Sequence, residues 1–225
     1  MHILTSGKYP IHILVARIFT DHSFMGTGGD LRRAITALFP DNSLLHHHGA
    51  AGEVDYSLSQ VRYLVLDGVP HLVGLGEGRE VVFRIADKIF LLTIGQRRYK
   101  VTGIDFIEDG VHIGSNDLLS YISRTPWIAL NQRNLAKFKQ LKTEVDRRQL
   151  LERILIGNFL SLAKGLNVRL EARLQAKITN FKHRQVNTPV PLLGFKVQFV
   201  SNFLLPEFLG VGKMVSKGFG LMNIR

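Results

Sequence analysis

The chain of 225 residues contains no cysteine. This absence excludes a disulfide scaffold, a thiolate zinc site and catalysis by a cysteine nucleophile, and it fits a reducing compartment. Long apolar runs are also missing, since residues 89–94 fall far short of the roughly 20 residues that a membrane span requires. No charged-then-apolar leader opens the chain. We therefore expect a soluble, unprocessed cytoplasmic protein that does not associate with a membrane.

Acidic residues are scarce in the second half. Residues 116–225 hold 18 Lys and Arg against 6 Asp and Glu, a net charge of +12, whereas residues 1–115 hold 11 against 12, a net charge of −1. A bias confined to one half favours a surface for a polyanion. Nucleic acid is the leading candidate. An anionic membrane is the alternative, although no basic amphipathic helix with exposed Trp or Phe supports it.

The first half alternates strands and helices. Residues 11–20 predict a buried strand, and Gly26-Thr27-Gly28-Gly29 precedes a helix that Asp30 could cap. The strands at 61–66 and 70–75 flank Asp67-Gly68, a hairpin signal. A second helix, running from Glu77 to Phe90, and a strand over 96–107 complete the order strand-helix-strand-strand-helix-strand, which is typical of a ferredoxin-like domain.

The second half predicts strands at 121–129, 167–179, 194–202 and 219–224, with helices at 131–142 and 145–164. We therefore predict an α+β protein of two tandem ferredoxin-like (RRM-like) domains, 1–115 and 116–225, with a cleft between them. The charge balance changes at the boundary that we place between these two domains.

Three consecutive histidines, His46, His47 and His48, are the first candidates for chemistry. If the segment is extended, His46 and His48 project to the same side. An exposed polar loop is the plain interpretation, and a metal site lacks a nearby cluster of acidic residues or cysteines to complete it. A general acid or base is the more specific interpretation, because an unperturbed imidazole titrates at about pH 6.5.

A second candidate site is the glycine-rich stretch 210–220. Glycines allow a backbone to approach phosphates closely while lysines neutralise their charge, although a flexible turn would have the same composition. The stretch is not a Walker A loop, because Gly-Lys-Ser/Thr is missing. The residues that could hold phosphates are Gly210, Gly212, Lys213, Ser216, Lys217, Gly218 and Gly220.

Basic residues also follow one another along the predicted strand 167–179 and beyond it. Even spacing would place Arg169, Arg173 and Lys177 on one sheet face beside Phe181, where backbone contact and base stacking suit RNA. The alternative is a merely solvated sheet face. Lys182 and Arg184 extend the same group of RNA-binding candidates.

The glycine-rich stretch ending in Gly-Phe-Gly, the basic second half and the two ferredoxin-like halves together resemble the RAMP superfamily of CRISPR-associated proteins. Within it, the chain is similar to the b subgroup of the endoribonucleases that cleave CRISPR repeats. His46-His47-His48 resembles that subgroup's His-Asn-His, and the segment 56–62 resembles its Tyr-Pro-Leu-Ile-Gln-Tyr-Lys, with Ser57 in place of proline. Residues 154–165 are similar to its long helix.

This resemblance implies cleavage of CRISPR repeat RNA in precursor transcripts without a metal ion or other cofactor, leaving a 2′,3′-cyclic phosphate and a 5′-hydroxyl. His46 and His48 would serve as acid and base, with Tyr56 positioning the RNA or donating a proton. Homodimers and other CRISPR-associated subunits are further expected partners. Two alternatives remain: a non-catalytic RAMP subunit that binds guide RNA in an effector complex, and a small-molecule enzyme whose glycine loops bind a nucleotide.

Overall fold

The computed structural model describes residues 11–46, 59–111, 117–170, 173–186, 188 and 190–225, except for the side chains at positions 46 and 111. The chain forms two compact units. The described residues of 10–111, together with Ser216–Gly218, form the N-terminal unit, and the described residues of 112–215, together with Phe219–Arg225, form the C-terminal unit. No helix in these described parts is long and apolar enough to cross a membrane.

The N-terminal unit contains a five-stranded antiparallel sheet of order β2-β3-β1-β5-β4. Four of its strands, β2-β3-β1-β5, have the order of a ferredoxin-like domain, which confirms the predicted fold class. The short strand β4 is an addition that the sequence patterns did not predict. The elements are β1 (Ile11–Thr20), α1 (Gly28–Leu38), α2 (Ser43–His46), β2 (Val61–Leu66), β3 (Val69–Leu75), α3 (Gly78–Ala86), β4 (Leu91–Ile94) and β5 (Arg97–Val111).

Every second side chain along the middle of β1 contributes to the core of this unit. Leu14, Ala16 and Ile18 are buried in one hydrophobic cluster with residues of α1 and α3, such as Leu31 and Val82. The predicted hairpin is confirmed, because Asp67 and Gly68 both have positive φ, of 53° and 76°, which suits the tight turn between two twisted strands.

The start of α1 differs from the prediction. Thr27, not Asp30, is the N-cap residue, and its hydroxyl accepts the backbone N–H of Asp30. Asp30 stands three residues into the helix, where its carboxylate accepts the Thr27 N–H over 2.7 Å. The two residues therefore form a capping box, and the prediction placed the cap three residues too late.

The C-terminal unit repeats the strand order with a second antiparallel sheet, β7-β8-β6-β9. Residues 202–221 connect β8 to β9 without an α-helix, whereas α3 makes the equivalent connection in the N-terminal unit. The elements are β6 (Leu119–Ser123), α4 (Gln132–Gln140), α5 (Glu144–Gly165), β7 (Ala176–Val186), β8 (Leu192–Ser201) and β9 (Met222–Ile224). A 3₁₀ turn, Val215–Lys217, leads into the segment Ser216–Gly218 that belongs to the N-terminal unit.

Aromatic side chains pack the two helices of the C-terminal unit onto its sheet. Phe159 of α5 stacks on Phe203 with ring centroids 4.5 Å apart, and Phe138 of α4 contacts Phe195 of β8 edge-on. The buried Trp127 donates its indole N–H to Asn158 of α5 over 3.0 Å. These contacts cover one face of the sheet.

Candidate functional site

The glycine-rich stretch 210–220 is a folded loop whose two ends pair. Val211 donates its N–H to the carbonyl of Gly220 over 3.0 Å, and Gly220 donates its own N–H to Pro126 over 3.0 Å. Gly220 has a φ of 74°, and a Cβ there would lie 1.9 Å from the Val211 carbonyl oxygen. Gly210 is buried against Phe219. These two glycines thus approach protein backbone closely, where we had expected an approach to phosphate.

The middle of the loop leaves one cation exposed. Gly212 packs on the indole of Trp127, and Lys213 donates its backbone N–H to Ile128 over 3.0 Å. Lys213 is exposed, whereas Ser216 and Lys217 are half-buried. Lys213 is therefore held by its backbone and presents its ammonium group to solvent.

Residues 216–218 of the loop pack against the start of α1. A Cβ on Gly28 would lie 2.2 Å from the carbonyl oxygen of Tyr63 and 2.3 Å from that of Lys217. A Cβ on Gly218 would lie 3.2 Å from the same Tyr63 oxygen. Helix α1, strand β2 and the loop therefore meet backbone to backbone, and only glycine fits at position 28 without a shift.

Tyr63 connects this contact to α2. Its ring is buried in the core, and its hydroxyl donates to the carbonyl of Leu45 over 3.1 Å. Burial raises the pKa of the Tyr63 phenol above its ordinary value, partly offset by the charge of Arg32, so the hydroxyl remains a donor at neutral pH. Leu45 is buried and immediately precedes His46, the last residue of α2. Tyr63 thus fixes the backbone that leads into the histidine segment.

The predicted catalytic residues are only partly described. The backbone of His46 ends α2, but its side chain, together with all of His47, His48 and Tyr56, lies outside the described residues. Their assignment as acid, base or positioning group stays a prediction.

A cluster of three cations lies at the same contact. Burial first, and then the charges of Arg32 and Arg33, lower the pKa of Lys217 below its ordinary value. Arg32 and Arg33 lie in the second turn of α1, close to the end of the helix where the dipole is positive. Three cations near this end of α1, with Asp30 as the acidic residue of the first turn, make the surface attractive to a bound anion such as phosphate.

Arg32 and Arg33 were not among the predicted site residues. The signal available in the sequence was their place near the start of the helix predicted after Gly26-Thr27-Gly28-Gly29, the end of a helix that is less favourable for positive charge. That Lys217 adjoins them depends on a contact between residues far apart in the chain, which no local pattern shows.

The face of the C-terminal sheet opposite its helices is basic. Residues paired across neighbouring antiparallel strands point to the same face, and Lys177 pairs with Val200, Lys182 with Lys196 and Arg184 with Gly194. All the cations in these pairs are exposed. A depression of about 230 Å³ lies on this face. Its lining residues are Ile122, Ser123, Asn180, Lys182, Lys196, Val197 and Gln198.

A β-bulge determines which side chains share this face. The register of β7 shifts between Ile178 and Asn180, so residues before and after the shift change parity. Phe181 consequently pairs with the buried Val197 and faces the helices. The prediction that Lys177 and Phe181 share a face was wrong, and Lys177 shares its face with Lys182 and Arg184.

Arg169 and Arg173 do not lie on a strand. Strand β7 begins at Ala176, so the predicted strand 167–179 starts nine residues too early. Both arginines belong to exposed, irregular backbone, where the carbonyl of Arg173 accepts the side-chain amide of Asn202 over 3.0 Å. The expected even spacing along one sheet face therefore fails for these two residues.

Comparison with known proteins identifies the family of both parts of the chain. Residues 10–112 match the Cas6b N-terminal domain, and residues 114–224 match the Cas6b C-terminal domain. The uncharacterized protein MJ0978 of Methanocaldococcus jannaschii is 38% identical over 118 residues, which cover 52% of this chain and 78% of that protein.

Two solved structures agree with this match over nearly the whole chain. A crystal structure of Cas6b has a TM-score of 0.81 and 30% sequence identity, and one of the CRISPR RNA processing endoribonuclease Cas6b has a TM-score of 0.71 and 28% identity. Each comparison covers 96% of this chain and 100% of the other. The chain therefore belongs to the Cas6b family of CRISPR-associated RAMP proteins, with two ferredoxin-like domains.

Proposed function

We propose that this chain is an endoribonuclease that cleaves CRISPR repeat RNA in precursor transcripts. The observation that supports this most strongly is the contact around Tyr63, where the start of α1, residues 217–218 and the end of α2 adjoin in a member of the Cas6b family. This arrangement puts a cationic cluster on the same unit as the backbone that leads into the histidine segment. A similar solved protein carries the name CRISPR RNA processing endoribonuclease.

The proposed chemistry is an attack of the ribose on its own phosphate. One histidine of the pair His46 and His48 removes the proton from the 2′-hydroxyl, and the 2′-oxygen forms a bond to the adjacent phosphorus. The bond from phosphorus to the 5′-oxygen breaks, and the second histidine gives that oxygen a proton. The products are a 2′,3′-cyclic phosphate and a 5′-hydroxyl, so neither water nor a metal ion is consumed or required.

Tyr56 is the candidate for orienting the scissile phosphate or donating a proton. Lys217, with Arg32 and Arg33, would neutralise charge on the phosphates near α1, where cations stabilise the developing negative charge of the transition state. Ser216 and Gly218 would contribute hydroxyl and backbone contacts on the same segment, while Gly210, Gly212 and Gly220 would maintain the shape of the loop.

The C-terminal unit would bind the rest of the repeat. Its exposed sheet face combines cations with the amides of Asn180 and Gln198, and Lys182 directly opposes Lys196, an arrangement that is unfavourable without a bound anion. RNA phosphates would relieve this repulsion. The proposed contacts are Arg169, Arg173, Lys177, Lys182, Arg184, Lys196 and Lys213.

The test is cleavage of end-labelled repeat RNA by His46→Ala and His48→Ala variants, with His47→Ala as the matched control. We expect each of the first two to lose about a hundredfold or more in single-turnover rate with RNA affinity retained, and activity to persist in excess EDTA. Tight binding of the repeat without cleavage by the unaltered protein would favour a non-catalytic RNA-binding subunit. Loss of activity in EDTA would contradict the metal-independent reaction.

A further inference from the structure

A hairpin of β4 and the start of β5 carries a group of cations in the N-terminal unit. Leu91–Ile94 pairs with Arg97–Lys100 around a turn at Gly95 and Gln96. Arg97, Arg98 and Lys100 are all exposed. Arg98 and Lys100 point to one face and Arg97 to the other, since neighbouring residues on a strand alternate. The hairpin is thus positive on both faces, in a half of the chain with no net positive charge.

Several other cations of this unit are paired with carboxylates. Arg17 contacts Asp105 over 2.9 Å, and Arg84 contacts Glu80 over 2.9 Å. Arg33 pairs with Asp30, and Arg79 with Glu108. Within the part of the chain that the structure describes, no carboxylate pairs with the side chains of the three hairpin cations. The hairpin therefore presents three exposed cations that have no carboxylate partner among the described residues.

Buried contacts hold the hairpin in place. Between the cations stands Tyr99, whose ring is buried and stacks on His22 with centroids 4.7 Å apart. Its hydroxyl accepts the N–H of Met25 over 3.2 Å. Lys100 exchanges backbone contacts with Asp21, donating to its carboxylate over 3.1 Å and accepting its N–H over 2.9 Å. The backbone that carries the cations is therefore held in place before a ligand binds, which lowers the entropy cost of binding.

An exposed aromatic ring stands at the base of the same hairpin. Phe90 directly precedes β4 and is 74% exposed, and its carbonyl accepts the N–H of Val101, the neighbour of Lys100, over 3.0 Å. A large apolar ring left in water beside unpaired cations suits single-stranded nucleic acid, whose bases stack on aromatic rings while its phosphates contact the cations.

The hairpin adjoins α1. A Cβ on Gly26 would lie 2.6 Å from the side chain of Ile94, and a groove of about 280 Å³ is lined by Arg33 of α1 and by Thr93 and Gly95 of the hairpin. Arg33 also belongs to the cationic cluster around Lys217. The two positive surfaces are thus neighbours on one unit.

We propose that the β4–β5 hairpin is a second RNA-binding surface, which holds a single-stranded segment of the transcript next to the α1 surface. Arg97, Arg98 and Lys100 contact phosphates, and Phe90 stacks on a base. The proposal extends the proposed function, because it places part of the substrate on the N-terminal unit in addition to the basic sheet of the C-terminal unit.

The test measures the salt dependence of binding to a fluorescein-labelled 2′-O-methyl oligouridine, which lacks the free 2′-hydroxyl. For a variant with Arg97→Gln, Arg98→Gln and Lys100→Gln, three lost phosphate contacts lower the slope of log affinity against log salt by about 2. The charge-preserving variant with Arg97→Lys and Arg98→Lys retains the slope. Phe90→Ala weakens binding at least about fivefold with the slope unchanged.

A matched control removes three paired cations of the same unit, by Arg17→Gln, Arg79→Gln and Arg84→Gln. The net charge falls equally, but we expect little change in slope. Equal slopes for the hairpin and control variants would overturn the proposal, as would full affinity of the hairpin variant. Thermal melts of all variants verify folding. Because this RNA cannot be cleaved, the outcome is independent of whether the protein cleaves repeats.

The absence of cysteine from the natural sequence allows a second readout. Gln96→Cys places a single thiol on the exposed turn of the hairpin, where a photoreactive label should cross-link to bound oligouridine. Glu80→Cys places the same label on an exposed position of α3. Cross-linking from the turn alone supports the proposal, and equal yields from both positions contradict it.

Discussion

The carbonyl oxygen of Lys217 lies 2.3 Å from the position that a Cβ on Gly28 would occupy. The two atoms nearest to this position are the carbonyl oxygens of Tyr63 and Lys217. Because both belong to the backbone, neither can rotate away as a side chain would. The fit of the loop segment 216–218 onto α1 therefore depends on the missing side chain at position 28.

Gly28→Ala should destabilise the N-terminal unit by about 1–3 kcal/mol through overpacking and reduce repeat cleavage. Gly29→Ala is the matched control, because its Cβ would make ordinary contacts, the nearest at 3.5 Å to the Thr27 hydroxyl. Alanine at this helical position should be neutral or stabilising. Denaturant unfolding of both variants measures the difference, and equal stabilities would show that the contact is not tight.

Lys217→Met should raise thermal stability and weaken RNA binding together. The pKa of Lys217 is lowered in the folded protein by burial and by Arg32 and Arg33, so the unfolded chain holds this proton more tightly and the charge opposes folding at neutral pH. The gain in melting temperature should shrink as the pH rises toward 10.5, the ordinary value, where the unfolded ammonium also loses its proton.

For the same variant, the slope of log RNA affinity against log salt should fall in magnitude by about 0.7, which corresponds to one phosphate contact. Lys213→Met is the comparison, because Lys213 is exposed. This variant should show the same fall in slope without a gain in stability. A Lys217→Met protein that melts at or below the temperature of the unaltered protein at pH 7 would contradict this description of the cluster.

Tyr63→Phe should reduce cleavage more than binding. It removes the 3.1 Å hydrogen bond to Leu45, at a cost of about 1 kcal/mol of stability, and it loosens the backbone before His46. If the loosened backbone displaces the catalytic group, cleavage should slow by roughly one to two orders of magnitude.

Tyr121→Phe provides the control in the C-terminal unit. The Tyr121 hydroxyl donates to Phe203 over 2.9 Å and accepts from Leu205 over 3.1 Å, so its loss should also destabilise the fold. The single-turnover cleavage rate at saturating protein should fall for Tyr63→Phe and remain unchanged for Tyr121→Phe. Equal rates for the two variants would show that the hydrogen bond from Tyr63 to α2 does not contribute to catalysis.

Lys196→Glu should stabilise the C-terminal sheet and weaken RNA binding. The change converts the Lys182–Lys196 pair from like to opposite charges, which is worth about 0.2–1 kcal/mol across a strand pair. Chemical denaturation and RNA titration measure the two effects. A loss of stability, or undiminished RNA affinity, would argue against an anion-binding role for this face.

Much of the fold follows from local patterns. The residues of β1, the Asp67-Gly68 turn and the apolar spacing of α5 fall where periodicity and turn chemistry place them. The second helix of the first half was predicted to continue to Phe90, but α3 ends at Ala86 and Phe90 is exposed. Apolar spacing alone does not distinguish a buried ring from one left at a surface.

The candidate site was predicted less completely. Lys177, Lys182 and Arg184 all lie on β7, but the bulge beside Thr179 changed which residues share a face, and a one-residue shift in register is not visible in composition. The contact of Lys217 with α1 joins positions almost 190 residues apart, and such a contact depends on the whole fold. Arg32, Arg33 and the β4–β5 hairpin were therefore not predicted.

We propose that His46 and His48 promote attack by a ribose 2′-hydroxyl within the repeat. The most direct measurement compares cleavage of repeat RNA with that of the same RNA carrying one 2′-deoxy nucleotide at the scissile position, followed by analysis of the ends. We expect cyclic phosphate and 5′-hydroxyl ends from the first substrate and no cleavage at that position of the second. Cleavage of the deoxy substrate at the same position would contradict this proposal, because the proposed nucleophile is absent.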